Sequence, residues 1–206
     1  GKSRIPSEVD LENTDAWHSQ KRATLGIALV MTAPGIPMLF QGQEFLEDGW
    51  FKDEEELNWE RAEAHDGIIR LTARLINLRL NREGNTKGLT GEHIDIFHVN
   101  HEQKVIAFKR FCRGGPGDDV VVFANFANHH QSGYEFGLPA EGKWRRRFSS
   151  DRKDYSEEFE GRASGDIHAQ ECWSDGELYK ASIELPPYTV LIYSQDSVKK
   201  PPAAAD

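Results

Sequence analysis

Gly42-Gln43-Glu44 sets an amide and a carboxyl directly behind a short apolar run, Ile36 to Gln41. That order suits one buried parallel strand whose carboxyl end delivers polar side chains to a site. On this reading Gln43 or Glu44 lines a polar pocket. The same residues would otherwise serve as a hydrogen-bonded strand end that shapes the next loop. Two-carboxylate cleavage of a glycosidic bond needs a pair of acids about 5 Å apart in its retaining form. This segment offers one well-placed acid, so no residue is assigned as catalytic.

Further on, Trp50, Phe51 and Trp59 lie in a long acidic stretch. Flat aromatic faces match the C–H faces of pyranose rings, and Trp50 and Phe51 are the candidates for such contacts. Loop aromatics also anchor loops to a core. Glu54-Glu55-Glu56 reads as a solvated charge run. His93, His98, His101, His129 and His130 have no acid or thiol cluster to complete a metal site, so neither a metal nor another cofactor is expected. Cys112 and Cys172 have no histidine at catalytic spacing and read as free thiols.

The elements that must position these residues come in two kinds. Ala16 to about Thr32 has helical spacing in Trp17, Leu25, Ala28, Leu29 and Thr32, with N-cap candidates in Asn13 to Asp15 and a stop at Pro34-Gly35. Asp66 to Asn81 is a second amphipathic helix, with Ile68, Leu71, Leu75 and Leu78 on one face. Residues 42–64 read as one loop, whose length points to a functional or disordered segment. After Gly91 short β-rich runs recur: His93–Asn100, Lys104–Phe111, Asp119–Phe126, Ser132–Leu138, Lys143–Ser149, Leu178–Leu185 and Tyr188–Ser194. In the first of them Ile94, Ile96 and His98 alternate against Asp95, Phe97 and Val99. Gly114-Gly115-Pro116-Gly117 reads as a hairpin turn. Residues 150–177 read as a long loop. Seven or eight short antiparallel strands predict a β-sandwich.

Bulk properties narrow the function classes. The chain has 206 residues, with 34 acids against 25 bases and a net charge of −9. A phosphate backbone would be repelled, so nucleic acid is not an expected partner. Arg145-Arg146-Arg147 sits on a strand, where alternate side chains face opposite ways. The longest apolar run, Leu25 to Met31, is far short of the roughly 20 residues that span a bilayer. Two separated cysteines fit a reducing cytoplasm. The chain opens on Gly1 in loop-like composition, which suggests a truncated piece of something longer.

Ala33 to Glu44 resembles the last-strand motif of the α-amylase superfamily, glycoside hydrolase family 13: Gly-(Ile/Leu/Val)-Pro, aliphatic or aromatic residues, then Gly-x-Glu. The continuation Phe45 to Trp50, with Leu57-Asn58-Trp59, is similar to bacterial 1,4-α-glucan branching enzymes, many of which have Asp where Asn58 stands. Gly1 to Pro6 looks like sequence just beyond the family's His-Asp motif. The β-rich half is similar to the family's all-β C-terminal domain. The resemblance implies an α+β fragment: the last helix-strand-helix portion of a (β/α)₈ barrel in residues 1–83, an all-β sandwich in 84–196, and a disordered tail in 197–206. It implies an α-1,4-glucan partner, glycogen or maltodextrin, and a retaining transfer of a cut chain to a 6-hydroxyl. The family's catalytic Asp, Glu and Asp come from earlier strands and are absent here. Glu44 matches the motif's terminal Glu, a strand-end residue.

Two other readings stand beside this one: part of a maltodextrin- or trehalose-releasing hydrolase, and a non-catalytic glycan-binding β-sandwich. A lone parallel strand lacks neighbours and leaves an exposed apolar edge. The first 83 residues are therefore expected to be loosely held, and residues 92–195 to fold stably.

Overall fold

The computed structural model describes residues 3–198. Eight strands follow four α-helices: α1 Ile5–Val9, α2 Trp17–Thr32, α3 Trp59–Ala64 and α4 Asp66–Arg79, then β1 His93–Asn100, β2 Val105–Phe111, β3 Val120–Asn125, β4 Gln131–Leu138, β5 Gly142–Ser149, β6 Ile167–Ser174, β7 Glu177–Leu185 and β8 Thr189–Ser194. The strands form one antiparallel ladder in the order β1-β2-β3-β8-β5-β6-β7-β4. The ladder curls over so that its two edge strands meet. His98 on β1 lies 2.6 Å from the Tyr134 hydroxyl on β4, and Gln131 donates to the Gln103 carbonyl at 3.1 Å.

Alternation along the central strands sorts their side chains into two cores. Val121 and Phe123 of β3 and Leu191 and Tyr193 of β8 face inward, against Phe136, Ile183 and Trp144. Val120, Val122 and Ala124 of β3 and Val190 and Ile192 of β8 face the helices. Both strands are therefore buried on both faces, which is why they read as unbroken apolar runs.

The helix layer is part of the same body. Ile27, Ala28 and Met31 of α2 and Ile68, Leu71, Leu75 and Leu78 of α4 share one cluster with Phe108, Val122, Phe148 and Ile192 of the sheet. The expectation of a loosely held N-terminal portion is corrected here, because the helices find their apolar surface on the sheet. The stripe expected on α4 is the buried one. Gly67, on the first turn of α4, lies so close to the Tyr155 carbonyl that an added Cβ would sit 2.1 Å from its oxygen. Lys21 is fully buried and donates from Nζ to Asp151 Oδ1 at 2.6 Å and to Thr189 Oγ1 at 2.9 Å.

The sequence reading needs correction at four places. Ile36 to Gln41 forms no strand, because no parallel neighbour is present among the described residues to pair with it. Ile36 is 98% exposed and Met38 82% exposed. The 42–64 loop contains the 3₁₀ turn Gln43–Phe45 and helix α3. The loop expected over 150–177 contains β6, whose exposed side chains hid its alternation. A bulge in β1 between Asp95 and His98 turns His98 to the face of Asp95, away from that of Ile94. The tail expected over 197–206 falls, from residue 199 on, outside the described residues.

Burying Lys21 with Asp151 makes each depend on the other. Lys21→Met leaves a buried, unpaired carboxylate and should cost about 3–5 kcal/mol. Adding Asp151→Leu should recover most of that loss. Denaturant unfolding of the two variants measures both effects, and an additive double mutant would contradict the pairing.

Candidate functional site

The segment that was expected to feed a site leaves α2 at its carboxyl end. Two arginines hold that end by its backbone. Arg79 donates to the Ala33 carbonyl at 2.6 Å, to Met31 at 3.2 Å and to Gly35. Arg110, fully buried, donates to the carbonyls of Thr32, Gly91 and His93. Cations at a helix carboxyl end oppose its dipole favourably. Burial, with Arg79 nearby, pushes the Arg110 guanidinium down to about 10, so it stays charged at neutral pH. From this anchored end residues 36–40 run without helix or strand, with Ile36, Met38 and Phe40 exposed.

Beyond it the chain turns sharply. Gly42 has φ +83°, and an added Cβ would lie 2.6 Å from Glu47 Cβ, so only glycine fits. Glu47 is buried and ties the loop to itself. Its Oε1 accepts from Gly49 N at 3.0 Å and its Oε2 from Asn58 N at 2.9 Å. Asn58 in turn caps α3 by accepting from Glu60 N. Arg4 donates to the Gly49 carbonyl at 2.9 Å and to that of Gln41, and lies 4.4 Å over the Phe40 ring. Arg61 donates to the Leu46 carbonyl and pairs with Asp15 at 2.6 Å and Asp48 at 3.1 Å. Burial alone would raise the Asp15 carboxyl, but Arg61 and His65 outweigh it and hold the group below its usual range. Asp15 is thus engaged with Arg61, and α2 starts at Trp17 with Ala16 as its N-cap and no side-chain cap.

This bracing encloses a cavity of about 220 Å³, lined among others by Arg4, Phe40, Gln43, Leu46, Glu47 and Phe51. A hollow of about 100 Å³ on the far side of Arg4, Glu47 and Phe51 includes Trp50 and Asn58. The structure thus brings Gln43 and Phe51 together, sets Trp50 beside them, and leaves half-buried Glu44 lining neither space. Gln43 also accepts from Phe40 N at 3.2 Å, so it shapes the turn as well as facing the cavity. Phe51 meets Phe40 edge-on at 5.3 Å. Trp59 rests on buried Phe45. Arg4 and Glu47 are committed to backbone partners, so what remains is an aromatic-walled surface with one amide, suited to binding rather than to proton transfer. Among the described residues no group of three or more His, Cys, Asp or Glu could hold a metal ion, and no helix is long and apolar enough to cross a membrane.

Residues 96–196 match the family described as "Alpha amylase, C-terminal all-beta domain". Similarity continues upstream of the domain. Over 188 residues, 87% of this chain, the sequence is 31% identical to the 1,4-alpha-glucan branching enzyme GlgB of Burkholderia thailandensis, of which it covers 22%. It is 28% identical over 189 residues to GlgB of Rhodospirillum rubrum, covering 88% of this chain and 25% of that protein. Among solved structures, pullulanase from Anoxybacillus sp. LM18-11 superposes with a TM-score of 0.61 at 20% identity, over 93% of this chain and 25% of the other. A debranching enzyme from Nostoc punctiforme gives 0.55 at 15% identity, over 84% of this chain and 30% of the other. The chain spans about a quarter of the length of the curated relatives it matches.

The β domain does more than follow the site segment. Its Arg110 grips the helix end from which the segment emerges. Sequence reasoning found the aromatics and Gln43 but missed Arg4, Glu47, Arg61 and Arg110. Scattered charges carry no periodicity. One usable signal was Glu47-Asp48 between Gly42 and Gly49, two acids confined between flexible residues. Glu47→Ala should free two backbone donors and loosen residues 47–58. Local opening should become easier by about 1–3 kcal/mol, roughly five- to 150-fold in the open population. Limited trypsin cleavage after Lys52 measures it, and an unchanged cleavage rate would show that Glu47 does not hold the loop.

Proposed function

We propose that this chain is the C-terminal portion of an α-glucan-processing enzyme, a 1,4-α-glucan branching transglycosylase acting on glycogen or maltodextrin in the cytoplasm. Residues 1–83 supply the end of a (β/α)₈ catalytic barrel, and residues 84–196 its all-β companion domain. The catalytic carboxylates belong to earlier barrel strands, so the chain alone does not turn over substrate. Gln43, Trp50 and Phe51 contribute to the glucan-facing rim, and Glu44 shapes it.

One observation carries this reading. Ile36, Met38 and Phe40 form a solvent-facing apolar segment that is nevertheless held at its root by two arginines. An isolated binding module gains nothing from such a segment. A barrel needs it as a stave whose neighbours bury both faces. The likeness to branching enzymes, which runs through this segment as well as the β domain, supports the same conclusion.

The test is a chimera in which this chain replaces the matched C-terminal quarter of a branching enzyme. With amylose, the chimera should form α-1,6 linkages, read after debranching as new short chains. The 206-residue chain alone should form none. Release of maltodextrins or trehalose without α-1,6 products would favour the hydrolase reading. Turnover by the isolated chain would contradict the proposal.

A further inference from the structure

Arg110 is a buried charge without a counter-charge. It lies on β2, fully buried between the sheet and the helix layer. Among the described residues no carboxylate stands within ion-pair distance of it. The charge that bears on its guanidinium is another cation, Arg79. Burying an ion unpaired is costly, and a neutral side chain of similar volume would close this part of the core at lower cost. The cation has to be explained by what it holds.

It holds carbonyls from three segments. Nη1 donates to Thr32, the last residue of α2, and Nη2 to Gly91, just past the 3₁₀ turn Lys87–Thr90. Nε donates to His93, the first residue of β1, at 3.1 Å. Arg79 takes the neighbouring carbonyls of Met31 and Ala33. A helix leaves its last four carbonyls without partners, and a left-handed residue after the C-cap often helps to satisfy them. Here the C-cap Ala33 has φ −64° and ψ 154°, and Pro34, which cannot turn left-handed, follows it. The two guanidinium forks stand in for that cap, and their fixed geometry sets the direction in which the chain departs.

The block from which Arg110 projects is rigid. An added Cβ would lie 2.4 Å from the Phe111 carbonyl oxygen at Gly91 and 2.2 Å from the Arg110 carbonyl oxygen at Gly88, so turn and strand meet backbone on backbone. At its far end the departing segment carries the rim. Gln43 N donates to the Phe40 carbonyl at 2.9 Å, and Phe51 meets the Phe40 ring. A shift at the root is therefore passed to Gln43 and Phe51.

We propose that Arg110 is a positioning residue for catalysis: through the Thr32 carbonyl the β domain sets where the segment leaves α2, and so where Gln43 and Phe51 stand against the glucan. Arg110 itself touches no substrate. The proposal rests on the α-glucan reading above, and it gives the β domain a share in the reaction beyond stability. Misplacement of about 1 Å far from the reacting atoms is enough to slow an oriented reaction.

The test has two arms. In the chimera, Arg110→Met should lower kcat for α-1,6-linkage formation about tenfold and leave KM for amylose within about twofold, at a temperature where melting shows the variant folded. Ile183→Ala, in the inner core away from α2, is the control for lost stability and should change neither constant. If Arg110→Met does not fold, Arg110→Lys keeps the charge, loses the fork, and should lower kcat about threefold. An unchanged kcat, or an equal fall with Ile183→Ala, would overturn the proposal. The second arm needs no chemistry: in the 206-residue chain, Arg110→Met should shift the backbone amide resonance of Gln43 as well as that of Ala33. Shifts that stop at Gly35 would overturn the positioning. An unsubstituted chimera that forms no α-1,6 linkage would count against the α-glucan reading and leave the positioning to be judged by the resonances.

Discussion

The buried pair of Lys21 and Asp151 is the constraint on which the arrangement of this chain depends. The two residues are separated by 130 positions, one on α2 and the other just past β5, and Thr189 at the start of β8 shares the ammonium. Phe159 adds its ring face at 4.9 Å. Desolvation works against such a pair and pushes the Lys21 ammonium down, while Asp151 and Glu160 push it back up. An apolar replacement would pack as well, but it would leave the rotation and axial position of α2 to shape alone. A pair that tolerates no other geometry fixes both.

From that fixed helix the surfaces around it follow. The carboxyl end of α2 is held by Arg79 and Arg110, so the segment Gly35 to Gln41 leaves in one direction. The segment leads into the turn at Gly42 and the loop braced by Arg4, Glu47 and Arg61. On its other side α2 offers Arg22 and Leu25 to a groove that Phe126 and Tyr188 complete from the sheet. Both surfaces thus involve α2 together with the rest of the same body. The β domain acts as a platform: its outer core holds the helices, and its inner core holds the sheet in its curl.

Much of this was legible in the sequence, and what was not has physical causes. The α4 stripe announces itself by period, since apolar side chains at fixed spacing must share a face, and of the seven strands that were legible β3 and β8 show instead as unbroken apolar runs. β6 does not, because most of its side chains are exposed at a poorly covered part of the sheet. Ile36 to Phe40 has the composition of a strand, but strand formation is a property of neighbours, and none is present among the described residues to pair with it. His98 was assigned to the wrong face because a bulge adds a residue that alternation cannot foresee. At the site, Gln43, Trp50 and Phe51 were visible as residue types, whereas Arg4, Glu47 and Arg61 act through tertiary geometry alone. The groove at Phe126 was invisible for the same reason, as its two aromatics are 62 positions apart.

Native-state hydrogen exchange tests the central claim most directly, namely that one core joins the helix layer to the sheet. The account predicts that buried amides of α2 and α4 exchange with the same global opening energy as those of β3 and β8, while the exposed amides of Ile36 and Met38 exchange freely. If α2 and α4 exchanged through a separate, lower-energy opening with β3 and β8 still protected, the shared core and the role given to Lys21 would be contradicted.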